Sequence, residues 1–535
     1  MASFHFNYFQ SSVPRLADHL IPSNGSAEAL DCNFHSGELT SWREPLPTAT
    51  VPTGTLQTHK VGCCWLPFPM CVEVTDGPIL CDDLYITGRT TYPEVATVGA
   101  NCVPVYSRLG VPCPAFMLAA LPTSQADNKD LVKVAFNYQF MNARGKLGQL
   151  SPAGDPVYMN DGTPVVLSGW EIPDPSWGVT HVRLSVSVSG YESGREPTNA
   201  LDTNNLIIAD VPINAASFTF TEFFEQLDAG VEEDITRPPP ADMRGICRMS
   251  SMNCLAGFVG RRVYFSHNNE PDNWPYFMDL DDAIVRIIES QGVIYVATHG
   301  RPVVIAGEAD CKTASCRSIL THPEAFPMVG REMVALPNGA GYASRNGFVV
   351  LSGRNPPSLL TWPLYAPEDW HMMTPESIRP VYHNGFLFLF SDRRSAIVHM
   401  AGVGYSGWSA DSHSWISDKV TYAMTGGDGE LYMLKGTVIS RWNAGTNLRP
   451  YKWMSPEIVS GPTRNFRAAY VNVTHGQVQF SLRSDDRVIE DRPVNRPLDF
   501  TLPSWGTGNR FQLTLTGTGR VKLVSVATSF RELSA

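Results

Sequence analysis

The stretch QGVIYVATHGRPVVIAG, Gln291 to Gly307, decides how this chain is read. Two apolar runs, Ile294 to Thr298 and Val303 to Ile305, flank the short turn His299-Gly300-Arg301. Runs this short, rich in β-branched residues and bounded by glycine, form strands joined by tight turns, because glycine and asparagine supply the positive φ that hairpins need. The same phrase returns on both sides: GRRVYFS (Gly260 to Ser266), GAGYASRNGFVVLSG (Gly339 to Gly353), HNGFLFLFSD (His383 to Asp392) and GELYMLKGTVISRWNAG (Gly429 to Gly445). Its period of roughly 40 to 50 residues is that of propeller blades, and no long helical pattern interrupts it. From Gly257 to Ala444 the sequence therefore predicts a β-propeller array, with Ala401 to Lys419 showing no clear blade phrase; the whole propeller is expected to have five to seven blades.

Working outward, the fold class is all-β: an interrupted β-propeller with an inserted β-sandwich and a C-terminal β-sandwich. Residues 1–47 read as an N-terminal arm and first strand, whose alternating Phe4, Phe6, Tyr8 and Phe9 pack either on another subunit or on the chain's own body. Residues 48–110 begin the propeller; DLYITGRTTYPEV, with Tyr85 and a turn at Gly88, resembles the later blade phrases. Residues 111–236 interrupt it. Val132, Val134, Phe136, Tyr138 and Phe140 alternate onto one face, and further strands near 163–170, 180–190 and 216–224 complete a small sandwich. The acidic run Glu232, Glu233, Asp234 and the tract Arg237-Pro238-Pro239-Pro240 close the insertion as a stiff hinge. Residues 237–450 carry the main propeller, and 451–535 turn to long alternating strands of jelly-roll type.

With 535 residues the chain exceeds one ordinary core. A formal net charge of −11 argues against a grip on duplex nucleic acid, which needs a Lys/Arg footprint. The 11 cysteines make no C-x-x-C pair and no zinc-finger spacing with histidine, and most lie in apolar runs, so reduced, buried thiols are expected rather than a disulfide framework. The first residues lack a basic segment followed by an apolar core, and no apolar run approaches 18 residues; the expectation is a soluble chain made in a cytoplasm, without membrane insertion.

Chemistry is thin. The sequence holds no H-E-x-x-H, G-x-S-x-G or P-loop, and no G-x-G-x-x-G leading from a strand into a helix. Asp279, Asp281 and Asp282 look like a carboxylate cluster, but exposed strand-edge charges explain them better, and the Gly and Glu of a calcium loop are missing. His267, His299, His322, His371, His383, His399 and His413 read mostly as surface turn residues. In NNEPDNWPYF (Asn268 to Phe277), Trp274 and Tyr276 offer a sugar platform, against the commoner use of such a cluster in packing between blades. No catalytic, cofactor-binding or metal-ligating residue is assigned, no cofactor is expected, and the chain is not read as an enzyme.

Taken in order, several phrases resemble a family of bacteriophage virion proteins, the nozzle-type tail proteins of short-tailed phages. They are ALDCNFHSGELTSWREP, YPEVATV through SRLGVPCPA, FTEFFEQLDAGVEEDITRPPPADMRGICRMSSMNCLAGFVGRRVYFSHNNEPDNWP, NGAGYASRNGFVVLSG, LYAPEDWHMMTPESIRPVYHNGFLFLF, ISRWNAGTNLRPYKWMSPEIV and GTGRVKLVSVATSFREL. The resemblance spans nearly the whole chain, and its phrases are packing and turn signatures. It implies a propeller carrying a fibronectin-like insertion, assembled as a ring of usually six copies. Such a homohexamer continues the DNA-ejection channel below the portal and adaptor and anchors fibres or spikes. The implied location is the virion tail, assembled in the bacterial cytoplasm, with genome DNA passing through the lumen without specific binding. An acidic lumen would let phosphates slide. The alternative from another class is a receptor- or glycan-binding tail module that uses the sandwiches or the Trp274 and Tyr276 surface; a propeller glycosidase is a third.

Overall fold

A computed structural model describes residues 3–17, 20–78, 83–124, 131–189, 205–229, 237–251, 253–307, 317–353, 355–402, 408–485 and 487–533. The protein is all-β, an interrupted β-propeller with an inserted and a C-terminal β-sandwich. Its residues divide into two compact units. The first comprises Met1–Cys71, Asp282–Gly307 and Ser318–Ala535; the second comprises Val72–Asp281 and Glu308–Arg317.

The recurring phrase is a four-stranded antiparallel unit, and six such units occur among the described residues, one of them (blade 5) as part of a ten-stranded sheet. Two belong to the second unit: blade 1 (Glu73–Asp76, Asp83–Thr87, Glu94–Val98, Pro104–Arg108) and blade 2 (Arg244–Met249, Cys254–Val259, Arg262–Phe265, Tyr276–Asp279). Four belong to the first. Blade 3 starts at Ile284–Ser290, blade 4 at Met328–Leu336, blade 5 at Arg379–His383 and blade 6 at Tyr422–Thr425. The turns are built as their residues require. Asn384 and Gly385 sit at φ 49° and 85° and set the register His383 to Phe386, the two-residue hairpin that needs positive φ at both positions. The Ala401 to Lys419 region is corrected: apart from 403–407, which lie outside the described residues, it supplies Trp408–Ile416 as the last strand of blade 5.

The N-terminal segment is a lace through the first unit. Strand Ser3–Phe6 pairs with Arg520–Ala527 in the C-terminal sandwich. Strand Glu28–Leu30 runs between the last strand of blade 5, to which it is parallel, and Tyr451–Met454 of the sandwich. Strand Leu46–Thr50 then completes blade 6 beside Val438–Arg441. Of the two uses weighed for the arm's aromatics, the chain's own core takes Phe4, Phe6 and Phe9. Phe6 and Phe9 both stand edge-on to the buried Trp453, each 5.1 Å away, and Phe4 meets Phe466 at 5.2 Å. Burying each such ring contributes about 1.5–3 kcal/mol, with roughly 0.5–1.5 more for each edge-to-face pair.

The C-terminal sandwich sets one sheet of Ser3–Phe6, Arg520–Ala527, Ala468–His475 and Leu498–Thr501 against a second that contains Val478–Ser484 and Thr507–Gly517. The inserted sandwich faces Ala119–Pro122, Val165–Ser168 and Ser217–Phe220 with a sheet built on Leu131–Asn142 and Val179–Ser189. Val134, Phe136, Tyr138 and Phe140 are its buried face, with Val132 partly buried beside them. The proline tract is packed down: Gly110, at φ 91°, lies where a Cβ would come within 2.8 Å of Pro238. The acidic run 232–234 lies outside the described residues.

The cysteine expectation needs correction. Cys32 and Cys254 are buried, but Cys63, Cys71 and Cys113 are exposed, and Cys64 and Cys102 are disulfide-bonded. Cys81, Cys311 and Cys316 lie outside the described residues. No described helix is long and apolar enough to cross a membrane.

Candidate functional site

The first strands of blades 3 to 6 lie side by side and enclose a cavity of about 490 Å³. Alternation along a strand puts every second side chain on one face, which delivers Arg286 and Ile288 from blade 3, Glu332 and Val334 from blade 4, and Tyr422 and Met424 from blade 6. Blade 5 adds Tyr382, and the segment before blade 1 adds Gln57 and Cys71. The charges here are engaged. Glu332 lies 3.8 Å from Arg379, whose Nη1 donates to the Thr421 carbonyl at 2.6 Å. Burial pushes the Tyr422 phenol well up; Glu332 adds to the shift, while Arg286 and a hydrogen bond with Gln57 oppose it. At neutral pH Tyr422 stays protonated, a hydrogen-bonding group and not a base. A paired carboxylate, cations and neutral phenols can hold a polar molecule; they do not form an activated nucleophile with its base.

The residues singled out from sequence do not converge on one site. Asp279 is on the edge strand of blade 2, gripped at 2.7 and 2.9 Å by both arms of Arg262, which lowers its pKa. Asp282 instead accepts from the Arg301 backbone at 3.0 Å in a turn of blade 3. Among the described residues Asp279, Asp281 and Asp282 form no metal-sized group. Trp274 is 4% exposed, donates to the Pro271 carbonyl and packs with Tyr85, Leu109 and Met243, so it is core and not a platform. Tyr276 stacks on His267.

The histidines also differ from expectation. His383, His399 and His413 are in strands and His371 is helical, while His322 and His413 are buried. His413 Nδ1 meets Ser12 Oγ at 2.8 Å, a Ser-His pair in outline. Both are sealed from solvent and His413 Nε2 has no partner, so no third group orients the ring as a triad requires.

Sequence reasoning missed the lining of the cavity, although a signal was there. Arg286, Glu332 and Tyr422 are polar interruptions in the first strand of their blades.

No family model matches the chain, and no curated protein does. Among solved structures it is similar to BamB from Moraxella catarrhalis, at 11% identity over 75% of this chain and 93% of that one, with a TM-score of 0.32. It is also similar to streptogramin B lyase, at 8% identity over 76% and 98% with a TM-score of 0.29. The AfRom2 CNH domain follows at 8% identity over 74% and 98%, with a TM-score of 0.26. At these scores no property of those proteins carries over.

Proposed function

We propose that this chain is a structural subunit of a short-tailed bacteriophage tail, a nozzle-type component assembled as a ring of six around the DNA-ejection channel. Its neighbours are the adaptor or portal-proximal ring and the fibres or spikes. The reading is supported first by the ordered set of phrases that resemble the nozzle family along nearly the whole chain. The structural observation that carries it is the N-terminal lace. Three strands within the first 50 residues, through four pairings, bind blades 5 and 6 and the C-terminal sandwich into one body. A component that must hold its shape while DNA passes under pressure needs long-range stitching of this kind. The net charge of −11 fits a lumen that repels phosphate, a point that a Lys/Arg-lined bore would sink.

The receptor- or glycan-binding reading remains the second. Its Trp274 platform is withdrawn, because that ring is buried. The glycosidase reading loses support because the Asp279 carboxylate is tied to Arg262.

Electron microscopy of the particles that carry this chain tests the proposal. Six copies around an axial channel beneath the portal are expected. Copies confined to peripheral fibres move the assignment to receptor binding, and absence from the particle overturns both readings.

A further inference from the structure

A second cavity, of about 380 Å³, opens between blade 5 and blade 6, within the size range of small-molecule sites, roughly 300–1,000 Å³. Its base is aromatic. Trp42 stands edge-on to Phe386 at 5.4 Å and 5.8 Å from Trp442, which in turn meets Phe388 edge-on at 5.3 Å. These contacts fix the rings, and Phe386 is half-buried.

Arg441 and Glu430 both line this cavity. Among the described residues no hydrogen bond or ion pair is made by either charged side chain, and Arg441 Nε is out of solvent without an acceptor. This is the reverse of the cavity between the first strands of blades 3 to 6, where Glu332 meets Arg379. A buried N–H without a partner carries the desolvation penalty of an unmade hydrogen bond. Folding alone gains nothing from that arrangement, whereas a ligand with acceptor groups relieves it.

The rim adds amides and an imidazole. Asn384 and Asn443 are exposed turn residues. Asn443 Oδ1 already accepts from the Arg43 backbone at 2.6 Å, which leaves its NH₂ to donate outward. Burial lowers the His383 pKa, against Glu430 and a backbone hydrogen bond at Gly429, so its ring is neutral at pH 7. His383 Nε2 lies 3.0 Å from the Asn384 amide nitrogen.

We propose that this pocket binds a neutral hexose unit, with one sugar face against Phe386 and its hydroxyls bridging Arg441 and Glu430. A hydroxyl donates and accepts at once, so adjacent hydroxyls satisfy a cation and a carboxylate together. The two charges cancel, which removes the bias toward an anion or a cation. The exposed asparagines leave the rim open for the rest of a glycan chain. This inference does not rest on the nozzle reading.

The test uses the full chain, titrated separately with methyl α-glucoside, methyl α-galactoside and methyl α-mannoside. Phenylalanine serves as a zwitterion that would also bridge the two charges. Saturation-transfer NMR and tryptophan fluorescence read binding. At least one glycoside is expected to bind saturably, with saturation strongest on its ring C–H protons. Arg441→Met and Glu430→Gln should each weaken it about tenfold, the size of one lost hydrogen bond to a charged group, with thermal melts confirming folded variants. Phe386→Ala should remove the ring-proton signal, and Phe386→Leu replaces it if the alanine variant fails to fold. The proposal is overturned if none of the three glycosides binds, if phenylalanine binds and the glycosides do not, or if binding survives both charge substitutions.

Discussion

The two sandwiches are closed by different means. The inserted one is built from strands between Ala119 and Ala229, neighbours in sequence, around Phe136, Tyr138 and Phe140. The C-terminal one takes an outer strand from the opposite end of the chain, Ser3–Phe6 beside Arg520–Ala527, and puts Phe6 and Phe9 against Trp453. The first can form as soon as its own segment is made. The second must wait for both ends, and the loop-closure entropy of that pairing has to be met before the contacts reward it. The chain thus keeps an insertion that folds on local contacts and a body that only the complete sequence can tie together.

The largest effect expected is at the polar knot of the lace. Arg449 lies 3.2 Å from Asp31, which also accepts from the Ser417 backbone, and 2.6 Å from Asp418. Its side chain is 9% exposed. Arg449→Met leaves the buried Asp31 carboxylate uncompensated, with the partly buried Asp418 beside it, and should cost about 3–5 kcal/mol in denaturant unfolding. A loss no larger than that of a surface substitution would remove the knot from the account.

Trp453→Ala should cost a similar or slightly smaller amount, about 3–5 kcal/mol. Hydrogen exchange gives the sharper contrast. Deletion of residues 1–9 should strip protection from Arg520–Ala527, the strand paired with Ser3–Phe6, and leave the amides of Leu131–Asn142 unchanged. If both segments lose protection equally, the two closures are not distinct.

A pH effect is expected where the N-terminal segment meets blade 5, at His413 against Ser12. Burial, with Arg394 adding to it, lowers the His413 pKa from 6.5 to about 3. The folded form keeps the ring neutral while the unfolded chain takes up a proton below about pH 6.5. The contribution is therefore whole above that pH and is lost progressively as pH falls toward 3, at up to about 1.4 kcal/mol per unit. His413→Gln should flatten the stability profile over that window; an unchanged slope would assign acid sensitivity to other groups.

The smallest effect belongs to the second unit. Arg262 and Asp279 are a bidentate pair at the surface, with side chains 39% and 59% exposed. Asp279→Asn should leave the melting temperature unchanged within error, because solvent and salt screen such a pair. A clear loss would show that blade 2 depends on its edge charges.

Hairpins such as His383 to Phe386 were legible because Asn-Gly between apolar runs has one low-energy solution. The face of Leu131–Asn142 was legible because alternation marks its buried side. The end of blade 5 was not: Trp408–Ile416 alternates Ser, His and Trp, and its burial comes from partners such as Leu30, which arrive from nearly four hundred residues away. Trp274 could be read two ways for the same reason, since exposure belongs to the neighbours and not to the residue.

The sequence by itself determined that this protein is made of short antiparallel strands and which faces are apolar. Those are properties of local torsion preference and period. Tertiary structure alone decided that the first 50 residues complete blade 6 and the C-terminal sandwich, that Glu332 is paired, and that the side chains of Arg441 and Glu430 make no hydrogen bond or ion pair among the described residues, beside an aromatic base. Pairing and burial are properties of what the distant chain brings near, and no local pattern encodes them.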